Sequence, residues 1–115
     1  MAELAEAVVE RQLAAYRVRD LGRFLECYAP SIKIRDFASA VLMEGHEAMQ
    51  SQYGPLFRDS PELRVAIPSR IVAGEYVIDE EQISGFILAG APQEFRAVVV
   101  YRVQHALIQD VLLLM

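Results

Sequence analysis

The stretch from Ser31 to Phe37 contains the residue whose type and setting best suit chemistry. Read as a strand, it sends alternate side chains to opposite faces, so Ile32, Ile34 and Asp36 share one face. The two basic residues of the stretch lie on the other face and favour water. Asp36 therefore ends a row of buried apolar residues, where burial raises the pKa of a carboxyl and improves it as a base. The alternative is a structural carboxylate that caps a turn or pairs with an arginine.

Three tyrosines are further candidates for a site. Tyr16 and Tyr53 fall in helical stretches and Tyr101 falls in a strand, and each could project a hydroxyl into an internal cavity. Val99 shares the strand face of Tyr101, so both residues are expected to line the same cavity. The alternative for all three tyrosines is ordinary core packing.

Other kinds of site have little support in the sequence. His46 and His105 are far apart, and no spacing resembles a metal-ligand set, so we expect no metal and no cofactor. No phosphate-binding glycine loop or nucleophile elbow is present. Cys27 falls in an apolar helical stripe and is interpreted as a buried hydrophobic residue. The acidic run 79–81 is interpreted as a solvated turn or strand rim.

Charge and hydropathy limit the partners. The 115 residues include 16 acidic and 11 basic side chains, with a net charge of −5, and ten scattered arginines make no basic patch for nucleic acid. Mean hydropathy is +0.22, which disfavours disorder. No apolar run reaches the roughly 18–20 residues of a membrane helix, and the N-terminal residues lack the pattern of a signal peptide. We expect one domain spanning residues 1–115, located in the cytoplasm.

The first half of the chain has mainly helical periodicity. A first amphipathic helix is predicted over residues 3–18, and Asp20 is predicted to cap a second helix that ends at Pro30. The strand that carries Asp36 follows, with a short return strand at 41–43. A third helix is predicted over 45–59, with Pro55 inside it.

From Glu62 onward the period changes from about 3.6 to 2, which indicates strands. They are predicted over 62–73, 76–88, 94–104 and 107–115, with a bulge or an edge at Pro68. Helices followed by long antiparallel strands predict an α+β fold in which three helices pack on one strongly curved sheet, giving a cone-shaped roll with a pocket at its open end.

The outer face of this sheet is expected to be apolar. Val98 and Val100 point away from the predicted cavity, as does one set of residues in the last strand. Apolar residues on the outside of a sheet need cover. A homodimer that packs sheet on sheet would provide it.

The order of elements resembles the nuclear transport factor 2-like superfamily, particularly its SnoaL-like and ketosteroid-isomerase-like branches, which have a cystatin-like roll. The resemblance covers essentially the whole chain. It rests on local similarities in five segments: Arg19-Asp20-Leu21, 24–30, Arg35-Asp36, 45–49 and 100–103.

The resemblance implies roles for three positions. The isomerase branch has an aspartate base on the first strand, and that position falls on Asp36. Its two oxyanion donors, a tyrosine on the first helix and an aspartic acid on the penultimate strand, fall on Gln12 and Val99. Val99 cannot donate a hydrogen bond, so the parent steroid reaction is not expected.

Two functions fit these observations. In the first, Asp36 abstracts a proton next to the carbonyl of a small apolar compound, and Gln12 or a tyrosine stabilises the enolate. In the second, the chain is a non-catalytic dimeric domain that binds an apolar ligand, and Asp36 only orients it. The resemblance also implies dimerisation through the sheet.

Overall fold

A computed structural model of the chain describes residues 4–115, which form three helices and six strands. The elements in chain order are α1 (Ala5–Arg17), α2 (Leu21–Glu26), β1 (Tyr28–Arg35), β2 (Val41–Glu44), α3 (Gly45–Asp59), β3 (Arg64–Ala73), β4 (Tyr76–Ser84), β5 (Phe95–Gln104) and β6 (Leu107–Leu114).

The six strands form one open sheet in the order β2-β1-β6-β5-β4-β3. All neighbours are antiparallel except β1 and β6, which are parallel. The sheet is curved and the three helices pack on it, which confirms the predicted α+β roll. Within the described part of the chain, no helix is long and apolar enough to cross a membrane.

The structure agrees with most of the predicted helix and strand boundaries but differs at the ends of α2 and β4. Asp20 caps α2 through its side chain, which accepts a hydrogen bond from the backbone N–H of Arg23 at 3.1 Å. However, α2 ends at Glu26, and Pro30 lies inside β1 instead of ending the helix. The register of β3 against β4 shifts between Ala66 and Ser69, which confirms the irregularity predicted at Pro68.

The fourth strand is shorter than the predicted 76–88, because it ends at Ser84. Gly85 follows with a φ of +67°, and a Cβ at this position would lie only 2.1 Å from the carbonyl oxygen of Glu62. Only glycine fits this backbone and this close approach. The chain therefore leaves the sheet at Gly85 and forms a loop over 85–94.

The core lies between the inner face of the sheet and the helices. Helix α1 buries a stripe at i, i+3 and i+4 spacing, and Phe24 of α2 is 1% exposed. The Phe24 ring lies 4.8–6.0 Å, centroid to centroid, from those of Tyr16, Tyr28, Tyr53 and Phe57. Edge-to-face and tilted pairs of this kind stabilise a core beyond their buried area. The predicted burial of Cys27 is also confirmed.

An ion-pair cluster joins α1 to the far strands of the sheet. Arg70 of β3 donates to both carboxylate oxygens of Asp79 on β4, at 2.6 and 2.9 Å. It also contacts Glu6 and Glu10 of α1. Asp79 is fully buried, so its charge depends on this one arginine for compensation.

Replacing Arg70 tests this dependence. We expect Arg70→Met to lower the free energy of unfolding by about 3–5 kcal/mol in urea denaturation, because it leaves the Asp79 carboxylate buried without its partner. Arg96→Met is the matched control: Arg96 pairs with Glu80 on the exposed side of the sheet, and its loss should cost at most about 1 kcal/mol. Equal losses for the two variants would contradict this account.

Candidate active site

A cavity of about 380 Å³ lies between α1, the other helices and the inner face of the curved sheet. This volume is near the lower end of the range of about 300–1,000 Å³ typical of small-molecule sites. Aliphatic side chains and the residues of loop 85–94 form much of its wall. Its aromatic lining residues are Tyr16, Phe24, Tyr28, Tyr53, Phe86, Phe95 and Tyr101.

Asp36 does not line this cavity, so the predicted inward orientation of its side chain is wrong. Strand β1 ends at Arg35, so the alternation that places Ile32 and Ile34 in the core does not extend to Asp36. The Asp36 carboxylate instead accepts a hydrogen bond from the backbone N–H of Ala40 at 3.0 Å. Its own backbone N–H donates to the Ala40 carbonyl at 3.1 Å. Asp36 therefore closes the β1–β2 turn.

The other five predicted site residues are brought together by the fold. The side chains of α1, α3 and β5 that line the cavity include Gln12, Tyr16, Tyr53, Val99 and Tyr101. All of them except the half-buried Tyr53 are at most 7% exposed. All five residues line the same cavity, and their contact with a ligand remains a prediction.

Among the described residues, Glu81 is the acidic side chain that lines the cavity. The inner face of β4 carries it in a row with Val77, Asp79 and Ile83, all of them buried. One oxygen of Glu81, Oε2, accepts a hydrogen bond from the Tyr101 hydroxyl at 2.9 Å. The other oxygen, Oε1, has no hydrogen-bond partner in the part of the chain that the structure describes, and Glu81 lines the cavity.

Burial changes the acidity of this carboxyl. Loss of hydration raises the pKa of Glu81 from 4.5 to about 7, and the nearby Asp79 charge acts in the same direction. The Tyr101 hydrogen bond and the charges of Arg17 and Arg70 oppose this rise. Near neutral pH, Glu81 is therefore divided between its ionised and protonated forms, as suits a group that both accepts and returns a proton.

The tyrosines in the wall keep their hydroxyl protons and can donate hydrogen bonds. Burial raises the pKa of Tyr16, Tyr53 and Tyr101 above the usual value, and the Glu81 charge adds to the rise in each case. These phenols therefore keep their protons. The hydroxyls of Tyr16 and Tyr53 have no hydrogen-bond partner among the described residues, so each can donate to a ligand.

The described residues contain no group of three or more His, Cys, Asp or Glu that could hold a metal ion. Nε2 of His46 lies 2.8 Å from the carbonyl oxygen of Tyr28, which joins the start of α3 to β1. His105 is exposed in the turn between β5 and β6. Neither histidine lines the cavity.

Glu81 was missed because the run 79–81 was interpreted as solvated. The signal was present in the alternation of β4, where Val77, Asp79, Glu81 and Ile83 share one face. Two carboxylates between apolar residues on one strand face indicate buried carboxylates, by the same reasoning that predicted a buried carboxylate at Asp36. In β4 the strand continues through them, whereas β1 ends before its aspartate.

Comparison with solved structures identifies the fold. An uncharacterised cystatin-fold protein from Novosphingobium aromaticivorans matches with a TM-score of 0.87 and 20% identity, over 99% of this chain and 100% of that one. A putative polyketide cyclase from Sinorhizobium meliloti has a TM-score of 0.75 and 14% identity over 93% of each chain. TerC co-crystallised with polyporic acid has a TM-score of 0.76 and 14% identity, over 96% and 90%. No curated protein matches the sequence.

These likenesses define the fold class, a cystatin-like roll. The family follows from the sequence itself, since the model of the SnoaL-like domain matches residues 9–111. The chain belongs to the SnoaL-like family, as the sequence resemblance predicted.

The buried carboxyl predicts a pH dependence of stability. Between about pH 4.5 and 7 the unfolded chain has released the Glu81 proton while the folded chain retains it, so the unfolding free energy falls as pH rises through this range. The 4.5-to-7 difference corresponds to about 3 kcal/mol. Urea unfolding of Glu81→Gln at pH 5 and pH 8 should lack this component.

Glu62→Gln, which removes an exposed carboxylate, is the control and should keep the wild-type profile. Parallel pH profiles for Glu81→Gln and the wild type would show that the carboxyl has the same pKa in the folded and unfolded chains, and would contradict the account.

Proposed function

We propose that this chain transfers a proton at the carbon next to the carbonyl group of a small, mostly apolar ring compound, with Glu81 as the base. The observation that carries the proposal is the position of Glu81, 7% exposed in the wall of the cavity with one carboxylate oxygen held by Tyr101 and the other unpartnered. Such a carboxylate is fixed in orientation and still has an oxygen for a substrate proton.

The reaction would proceed in two proton transfers. Ionised Glu81 takes the proton from the carbon next to the carbonyl, and the electron pair of that C–H bond forms a double bond to the carbonyl carbon, which leaves an enolate. In a substrate that has a C=C bond conjugated with this enolate, protonated Glu81 then returns the proton to the far carbon of that bond, the double bond moves next to the carbonyl, and the substrate is isomerised. Alternatively, the enolate carbon attacks a second carbonyl of the same molecule, which closes a ring, and Glu81 protonates the new alkoxide. Both sequences leave Glu81 ionised again.

The enolate oxygen needs hydrogen-bond donors. Tyr16 of α1 and Tyr53 of α3 line the cavity, hold their protons and have hydroxyls without a partner in the described structure. Fixed donors in a site shielded from water stabilise developing charge more than they would in bulk solvent. They are the proposed replacements for the donors of the isomerase branch, whose positions here are Gln12 and Val99.

Membership of the SnoaL-like family supports this reaction class, and so does the likeness to a putative polyketide cyclase. The apolar wall limits the substrate to a compound with few polar groups. The same features also fit a domain that binds such a compound without converting it, and the test below separates the two.

Deuterium exchange tests the proposed base. We expect the chain to catalyse exchange of the protons next to the carbonyl of 2-tetralone in D₂O, followed by NMR, at a rate that rises with pH around a midpoint of about 7. Glu81→Gln should lower this rate by about a hundred- to ten-thousand-fold, because general-base catalysis is lost.

Asp36→Asn is the matched control, since it alters a carboxylate in the β1–β2 turn outside the cavity, and its exchange rate should remain near that of the wild type. Loss of exchange in Asp36→Asn alone would overturn the assignment of Glu81. Binding of 2-tetralone without any exchange would leave a ligand-binding domain as the function.

We also propose that two copies pair through the outer face of the sheet. Cross-strand register places Ile71, Ile78, Val100 and Leu112 in one continuous row across β3, β4, β5 and β6. Ile71 is 59% exposed and Val98, beside this row, is 37% exposed. An apolar row of this length needs cover.

A second copy is the proposed cover because the row is bordered by charges of both signs, as a self-complementary surface requires. Arg102 and Asp110 pair on one side, and Arg96 and Glu80 pair on the other. Arg35, next to Leu112 in register, has a buried Nε without a partner among the described residues, and a second copy could provide its acceptor.

Sedimentation velocity tests the dimer. At micromolar concentration the sedimentation of the wild type should give a mass twice the 12.9 kDa of one chain. Val98→Arg should sediment as a monomer, because the substitution places a charge in the apolar surface. Val18→Arg, on an exposed residue after α1, should remain dimeric. A monomeric wild type would contradict the proposal.

A further inference from the structure

Gln12 is a polar residue in the buried stripe of α1. It lies between Val9 and Leu13 on the side of the helix that faces the sheet, and it is only 3% exposed. A helix that packs on a core normally has apolar residues at such positions. The long polar side chain therefore needs an explanation other than packing.

The carbonyl oxygen of this side chain has no partner. Oε1 of Gln12 is buried and accepts no hydrogen bond from any residue that the structure describes. A buried acceptor without a donor is costly, and such groups are uncommon in folded proteins. Because Gln12 belongs to the wall of the cavity, a bound ligand can provide the missing donor.

The chemistry of the wall limits what that ligand can be. Seven aromatic residues line the cavity, which favours a flat ring system that stacks on them or meets their edges. Phenol hydroxyls can donate to an acceptor on such a ligand, whereas Gln12 offers a buried amide oxygen that has no donor among the described residues. A ring hydroxyl is the group that fits it.

We propose that Gln12 determines specificity by accepting a hydrogen bond, through Oε1, from a hydroxyl group on the ring system of the ligand. This rests on the proposed function for the identity of the cavity, and it adds that the ligand is a phenol or an enol in addition to being apolar. Gln12 would then bind the ring hydroxyl of the ligand, while Glu81 and the tyrosines act at its carbonyl group.

Binding of two matched probes tests this inference. 2-Naphthol and 2-methoxynaphthalene have the same ring system, but only the first can donate a hydrogen bond. Calorimetry at pH 5.5, where most Glu81 is protonated, should give about three- to tenfold tighter binding of 2-naphthol to the wild type, as expected for one neutral hydrogen bond. Gln12→Leu should abolish this preference without weakening the binding of 2-methoxynaphthalene.

Two further variants make the result specific. Gln52→Leu also alters a glutamine of the cavity wall, but an exposed one, so it should keep the preference. Glu81→Gln should also keep the preference for 2-naphthol, and this variant separates the inference from the proposed catalysis. If deuterium exchange is lost while the preference for 2-naphthol is intact, the result supports the role of Gln12 independently of the role of Glu81. An equal preference in wild type and Gln12→Leu, or no binding of either probe, would overturn the inference.

Discussion

The burial of Glu81 is the constraint on which the rest of the site depends. A carboxyl group taken out of water is destabilised in its ionised form, and the chain accepts this cost at Glu81. The Tyr101 hydroxyl offsets part of the cost and fixes one oxygen of the carboxylate. What results is a titratable group near neutrality inside an apolar cavity.

The neighbouring Asp79 is also buried, but its charge is compensated by an arginine. It lies two residues away on the same face of β4, yet Arg70 binds both of its oxygens and also contacts two glutamates of α1. Asp79 is thereby a structural carboxylate that ties the helix to the sheet. One face of one strand thus has two buried carboxylates: Arg70 binds both oxygens of Asp79, whereas Glu81 has an oxygen without a partner among the described residues.

The fold could be predicted from the sequence because periodicity and turn residues determine it locally. The change from a helical period to alternation at Glu62, the capping role of Asp20 and the irregularity at Pro68 all follow from the chemistry of single residues or short stretches. The positions of Gln12, Tyr16 and Tyr101 at the cavity also follow, because each lies on a buried face whose phase the neighbouring apolar residues define. Asp36 was misplaced because the end of β1 at Arg35 depends on its pairing with β2 and β6, which is a tertiary feature. Glu81 was overlooked because three adjacent acidic residues suggest solvent, although their alternation puts two of them inside.

The central claim is that Glu81 titrates near neutral pH inside the folded chain. The direct measurement is a ¹³C NMR titration of the glutamate side-chain carboxyl carbons, with the Glu81 signal assigned by its absence in Glu81→Gln. We expect the Glu81 signal to titrate with a midpoint of about 7. A Glu81 signal that titrates near its ordinary value of 4.5 would contradict it, because the carboxyl would then be hydrated and the cavity would lack its base.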